Sequence, residues 1–163
     1  MKEILLSKYG KNKGKYVALV DDEDYERVNK LNWYIKIRKS NNLYYAVRQF
    51  AHNNKMKCQF MHSYILGLPM IDHKDHNGLN NQRLNLRECT TIQNCQNQRI
   101  SLNGSSIYKG VNWNNYSKKW VSQIGVNYRR IFIGRFKDEI EAAKAYDAKA
   151  KELFGEFAFV NFK

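Results

Sequence analysis

Asp72 and His73 stand side by side, with Asn85 twelve residues beyond the histidine and Asn94 twenty-two beyond the aspartate. The full run reads IDHKDHNGLNNQRLNLRECTTIQN. A carboxylate and a carboxamide are oxygen donors of the kind a hard divalent cation takes, so Asp72 and Asn94 can share one ion. Histidine changes charge near neutral pH, so His73 can take a proton from water beside that ion. Together these residue types have the means to hydrolyse a phosphodiester. The neighbouring pair Asp75-His76 offers the same chemistry in a shifted register. The same spacings from Asp75 then meet Arg87 or Glu88 and Asn97, so His76 reads as a loop residue within reach of phosphate.

The composition names the source of the phosphate. A formal charge of +13 and a pI near 9.7 favour nucleic acid, because Lys and Arg release counterions from a phosphate backbone. The excess is +7 over residues 1–60, +1 over 61–103 and +5 over 104–163, so two basic regions flank the least basic one, which holds Asp72 and His73. Cys58, Cys89 and Cys95 are odd in number and form no Cys-x-x-Cys pair, which argues against a disulfide framework or a cysteine-rich zinc site. No apolar run approaches a membrane span and the N-terminus lacks a signal-peptide core, so a cytoplasmic setting without a membrane partner is expected.

The elements that must carry these residues predict an α+β fold. KYVALV (15–20) and NLYYAVRQF (42–50) read as strands in a β-rich region over 1–60, where Lys36, Arg38, Lys39 and Arg48 are expected to grip a nucleic-acid backbone. DDEDYERVNKLNW between them reads as a short helix opened by an Asp cap, its acidic residues dressing the N-terminus. QFMHSYILGLPM is a strand or helix stopped by Gly67 and Pro69. His62 within it reads as a packed histidine with a supporting role near His73 left open. MIDH and NLREC then form strands around a polar loop, and TTIQN starts a helix at a Thr90–Gln93 capping box. A unit this small must lean on the preceding sheet. After SLNGSS (101–106), which reads as a linker, three strand-like runs and one amphipathic helix follow. Asp138 caps that helix, Gly155 stops it, and Ile140, Ala143, Tyr146, Ala150, Leu153 and Phe154 are expected on its apolar face.

Residues 61–99 resemble the HNH endonuclease family of the ββα-metal fold, in its phage and intron homing subgroup, through Asp72-His73, GLNNQR, Asn85 in NLR and Asn94 in QN. The resemblance implies that His73 is the general base, that Asp72 and Asn94 bind one Mg²⁺ or Mn²⁺, and that Asn85 braces the loop orienting His73. Many members carry His where Asn94 stands, which changes the ligand atom and not the reaction. Arg83, Arg87 and Arg99 flank this set and are expected to contact phosphate, with a solvated surface as the plain alternative.

Residues 107–162 resemble the DNA-binding domain of plant ethylene-response factors (the APETALA family) through YKGV, KKWVSQI, IFIGRF, EAAKAYDAKA and the closing NF. That likeness implies a three-stranded sheet lying in the DNA major groove, with Lys109, Asn112, Gln123, Arg130 and Phe132 at contact positions and Trp113 and Trp120 nearby. For the three aromatics, packing is the alternative reading. Two family arginines are replaced by Lys109 and Asn112, and a tryptophan by Phe132, so the plant target sequence is not expected to carry over. The expected organisation is 1–60, 61–100, a linker at 101–106, and 107–163. The expected function is metal-dependent, site-selective nicking or homing cleavage of double-stranded DNA by a monomer in a phage-infected or bacterial cell. A noncatalytic sequence-specific DNA-binding regulator is the competing expectation.

Overall fold

The computed structural model describes residues 1–7, 9–38, 42–98 and 104–162, and it divides into two compact units, 1–91 and 92–163. Both mix antiparallel sheets with a few short helices, so the fold class is α+β. Among the described residues no helix is long and apolar enough to cross a membrane.

The first unit opens with a hairpin of β1 (Lys2–Leu5) and β2 (Val17–Val20), followed by α1 (Asp22–Asn29). Three antiparallel strands follow in the order β3 (Tyr34–Arg38), β4 (Leu43–His52) and β5 (Lys55–Phe60). Helix α2 (Met61–Leu66) ends at Gly67, whose φ of 72° is the left-handed conformation that halts a helix. A second hairpin pairs β6 (Ile71–His73) with β7 (Leu86–Glu88), the latter entered through a 3₁₀ turn at Arg83–Asn85. One apolar cluster runs under all of this. Ile4, Val20, Val28, Trp33 and Ala46 share it with Met61, Ile65, Ile71 and Leu86, so the second hairpin leans on the N-terminal strands for its core.

Two expectations about this unit change. Asp21 stands at the start of α1, yet its side chain makes no cap. Its oxygens instead accept from Gln82 Nε2 at 3.2 Å and the Arg83 backbone N–H at 2.7 Å. Arg48 is no open backbone grip. Its guanidinium lies over Trp33, Phe50 and Tyr64 at 4.8–5.9 Å, and its Nε donates to Gln59 Oε1 at 2.8 Å. An arginine stacked between rings keeps its charge but presents little of it outward. Lys39 lies outside the described residues.

The second unit begins within α3 (Thr91–Gln96), which starts one residue after Thr90. Strands β8 (Val111–Asn114), β9 (Lys119–Val126) and β10 (Arg129–Phe136) form a three-stranded antiparallel sheet in the order β10-β9-β8. Helix α4 (Glu139–Phe154) covers one face, capped by Asp138, which accepts from Glu141 N at 2.9 Å. Its buried stripe is Ala142, Ala143, Tyr146, Asp147 and Ala150, rotated from the expected one, with Ile140 and Leu153 outside it. Small alanines let the helix approach the sheet closely, and Asp147 is drawn inward because it holds the C-terminal segment. Its carboxylate accepts from the backbone N–H groups of Asn161 and Phe162 and from Asn161 Nδ2, all at 2.8–2.9 Å. Gly110, at φ 79°, sits against the Tyr146 ring, where an added Cβ would fall 1.9 Å from the ring edge.

Candidate active site

Pairing of β6 with β7 sets Asp72 opposite Arg87 and His73 opposite Leu86. All three β6 side chains are buried. Arg87 reaches across the hairpin and donates to Asp72 Oδ2 through Nε at 3.0 Å and Nη2 at 2.7 Å. The guanidinium expected to meet phosphate therefore holds a carboxylate instead, because a buried anion in this position requires a cation.

The loop from Lys74 to Gln82 is organised by side-chain amides and one carboxylate. Asp75 Oδ1 accepts from Asn77 N at 2.8 Å and from Asn85 Nδ2 at 2.9 Å, while Oδ2 accepts from Asn80 Nδ2 at 2.8 Å. Asn85 returns the bond by accepting from Asp75 N at 3.0 Å, and it also donates to the Asn80 carbonyl at 2.8 Å. Burial pushes the Asp75 pKa upward, but these donors outweigh it and hold the carboxyl below its ordinary value. Asp75 is thus a loop organiser. His76, at φ 62°, is the turn residue beside it. The loop is also fastened to β2, with Leu19 N donating to Leu79 O and Asn81 N to Leu19 O, both at 2.8 Å.

Arg83 anchors the far end of the loop. It donates to Asp24 Oδ2 through Nε at 2.8 Å and to Oδ1 through Nη2 at 3.0 Å, and it pairs with Glu23. Asp24 is 1% exposed and also accepts from Arg27 Nε at 2.9 Å. Burial would raise the Asp24 pKa. The hydrogen bonds and charges of Arg83 and Arg27 prevail and lower it. The acidic helix start read as mere dressing is therefore the clamp on this loop, and Arg83, expected to contact phosphate, is its ion-pair partner with a side chain still 42% exposed. Arg99 lies outside the described residues.

His73 is 5% exposed. Its Nε2 stands 3.4 Å from Oδ1 of Asn81, a fully buried residue in GLNNQR to which the sequence reading gave no separate role. That is the long limit for a hydrogen bond. Asn81 Nδ2 has no hydrogen-bond partner among the described residues, a rarity for a buried donor that marks the position for attention. Rings of Tyr45 and His62 lie against His73. Burial lowers the His73 pKa, more than the Asn81 contact and the Asp75 and Asp72 charges raise it, so the imidazole is neutral at neutral pH. A neutral imidazole is the form that can accept a proton.

The donor chemistry at Asp72 suits a hard divalent cation. It is a buried carboxylate that already holds positive charge. Among the described residues there is no group of three or more His, Cys, Asp or Glu arranged to hold a metal, so an ion of this class would keep water or phosphate oxygens in its shell, as Mg²⁺ does. Asn94 lies on α3 in the second unit, and its membership of the metal set rests on sequence spacing.

The sheet of the second unit has one face under α4 and one uncovered, and register assigns every side chain to one of them. Trp113, Trp120 and Phe136 are cross-strand neighbours, and Trp120 and Phe136 pack with Val111, Ala142 and Ala143 on the helix side. Trp113 meets Trp120 edge-on at 5.1 Å, so both half-buried tryptophans take part in packing. Asn112, Gln123, Arg130 and Phe132 share the uncovered face. Gln123 Nε2 donates to Asn112 Oδ1 at 3.1 Å, and Arg135 lies over Phe132 at 5.3 Å. Phe132 is 57% exposed. Lys109 does not join them. Its Nζ donates to the carbonyls of Gln96 at 2.6 Å and Gln98 at 2.7 Å and sits over the Phe159 ring, and burial pushes its pKa down to about 8.

Comparisons with known proteins bear on both units. No protein-family model matches the chain. Two plant proteins align over 62 residues, 37% of this chain. These are dehydration-responsive element-binding protein 2A of Oryza sativa at 39% identity and the AP2-like ethylene-responsive transcription factor AIL7 of Arabidopsis thaliana at 37%. The alignments span 22% and 12% of those proteins, so part of this chain is similar to a short segment of each. The uncharacterized HNH endonuclease L560 of Acanthamoeba polyphaga mimivirus is 32% identical over 152 residues, covering 93% of this chain and 78% of that protein. With that extent of alignment, and with Asp72, His73 and the Asn85-tied loop assembled on one β-hairpin, the chain belongs to the HNH endonuclease family.

Proposed function

We propose that this protein is a DNA endonuclease that hydrolyses phosphodiester bonds in duplex DNA, with His73 as general base. The observation that carries the reading is a buried, neutral His73 next in sequence to a buried carboxylate, on a hairpin whose loop is tied down at both ends. His73 accepts a proton from the attacking water. Asn85 keeps the loop after His73 in one conformation through its bonds to Asp75 and Asn80. Asp72, with Asn94 as the second oxygen donor on sequence grounds, is the proposed holder of one Mg²⁺ or Mn²⁺. Such an ion supplies charge neutralisation at the scissile phosphate and leaving oxygen. Arg87, now on Asp72, is then the nearest cation to share or yield that carboxylate.

The uncovered face of the C-terminal sheet, with Asn112, Gln123, Arg130 and Phe132, is the proposed placement surface on DNA. It draws support from the plant protein segments and from a β-ribbon's fit to the major groove. Tethering makes the second contact intramolecular, so two modest grips give selective binding. One active centre per chain makes a nick the product of a monomer. If the central hairpin binds no metal, the same chain is a noncatalytic DNA-binding regulator, a reading favoured by the plant likeness alone.

The test is relaxation of supercoiled plasmid, including DNA from viral sources, with Mg²⁺ or Mn²⁺, for wild type, His73→Ala and an EDTA control. Open-circle product lost in both controls is expected. Salt-sensitive binding with no product on any DNA would overturn the endonuclease reading in favour of the regulator.

A further inference from the structure

His62 lies second in α2, 8% exposed, on a segment whose other buried residues are apolar. A histidine in a core ordinarily satisfies its ring nitrogens with hydrogen bonds. Here the specific contacts of the ring with described residues are all with other rings. Phe60 stacks on it at 5.1 Å and 18°, and His73 meets it at 4.9 Å and 83°, an edge-on contact. Tyr45 touches the whole group, at 5.6 Å from Phe60, 6.2 Å from His62 and 6.1 Å from His73. Four rings from β4, β5, α2 and β6 thus converge, and the histidine assigned the base is one of them. Tyr45 is itself pinned from behind. A Cβ on Gly78 would fall 2.5 Å from its ring, so the loop packs hard against it.

We propose that His62 is a positioning residue, its ring wedged between Phe60 and His73 so that His73 is confined to one ring orientation. This rests on the endonuclease reading for its link to catalysis. The geometry leaves few alternatives for His73. One side meets the edge of His62, another the tilted Tyr45 ring, and Nε2 faces Asn81. Burial, and then the neighbouring His73, push the His62 pKa to about 3, so it adds no second cation beside the base. The role belongs to the shape of the ring and not to its nitrogens. A phenyl group should therefore serve where a methyl group cannot.

The experiment compares His62→Phe and His62→Ala in the full chain. Single-turnover nicking is measured on a plasmid that wild type cuts, at saturating protein, with affinity measured separately in EDTA. Expected is a fall of about 10²-fold in rate for the alanine variant with unchanged affinity, as for a misplaced catalytic group. The phenylalanine variant should stay within about tenfold of wild type, a margin that overpacking at one contact can produce. Side-chain NMR contacts between His73 and Tyr45 should persist in His62→Phe and average out in His62→Ala, with the Trp33 indole resonance confirming a folded unit in both. A folded alanine variant with wild-type rate and intact His73–Tyr45 contacts would overturn the proposal. So would a phenylalanine variant as slow as alanine. If wild type cuts nothing, the endonuclease reading fails, while the NMR comparison still decides whether His62 positions His73.

Discussion

Acid should begin to weaken the first unit well above the range where its carboxylates titrate, and His62 is the main reason. In an unfolded chain a histidine protonates near pH 6.5, whereas His62 in the fold resists until about 3. Between these values the unfolded state binds one more proton than the folded state, so stability falls as pH falls. At about 1.36 kcal/mol per pH unit, the loss from His62 reaches about 3.4 kcal/mol at pH 4 and levels off toward about 4.4 kcal/mol at pH 3, where the folded-state imidazole is itself half protonated. His73, also lowered, acts in the same direction. Asp24 and Asp75 are held below their ordinary values, so they too cost stability in acid, but only near and below their unfolded pKa of about 3.9. The interval from pH 6.5 to 4 therefore belongs to the histidines. Domains of this size are stable by only about 5–15 kcal/mol, so the effect is a large fraction of the whole. The assay is urea unfolding at pH 7, 6, 5 and 4 followed by ¹H–¹⁵N spectra. The buried Trp33 indole, donating to the Val28 carbonyl at 2.9 Å, reports on the first unit, and Trp113 and Trp120 report on the second. His62→Phe should flatten the pH dependence of the Trp33 transition by roughly 1 kcal/mol per pH unit. A wild-type loss below about 1 kcal/mol across that interval, or a variant that parallels wild type, would refute the premise that burial keeps His62 neutral.

Asp24→Asn should destabilise the first unit by about 1–3 kcal/mol in the same urea assay, because Arg27 and Arg83, both partly exposed, lose the charge-assisted bonds that a buried carboxylate gave them. Gly110→Ala should unfold or strongly weaken the second unit, through both its 79° φ and the collision with Tyr146, while the Trp33 transition stays in place. If Arg130 meets one phosphate, Arg130→Ala should weaken duplex binding and reduce the slope of log affinity against log salt by about 0.9, measured by titration at 50–200 mM salt.

Individual elements could be read from the sequence where short-range rules suffice. Period-2 and period-3.6 patterns located β2, β4, β6, β7, the C-terminal sheet and α4, and Asp138 and Gly155 bound α4 as cap and stop. Strands β3 and β5 escaped notice although IKIR and KMKCQF alternate polar with apolar residues, because both runs are short and rich in lysine and arginine, and most of their side chains stay exposed. The apolar stripe of α4 was misjudged for a related reason. Side-chain size pointed to Ile140 and Leu153, but close approach to the sheet selects alanines.

Charge is where sequence reading fails most instructively, because the partner of a charged residue is a long-range fact. Arg83 lies fifty-nine residues from Asp24, and Arg87 faces Asp72 only because of the β6–β7 register. Each looked like a free cation beside a nuclease motif, and each is committed to a buried carboxylate. The same logic sorts the C-terminal sheet. Trp113 and Asn112 are adjacent in sequence but on opposite faces, so one packs edge-on against Trp120 and the other joins Gln123 on the open side. Composition placed a net charge of +13 on this chain, but the fold decides which cations remain available to a phosphate backbone. Arg48, Arg83, Arg87 and Lys109 have partners within the protein, whereas Arg130 lies on the uncovered sheet face, exposed beside Phe132. Substitution at Arg130 should therefore change the salt slope of duplex binding, whereas the slope owes little to Arg48 and Lys109.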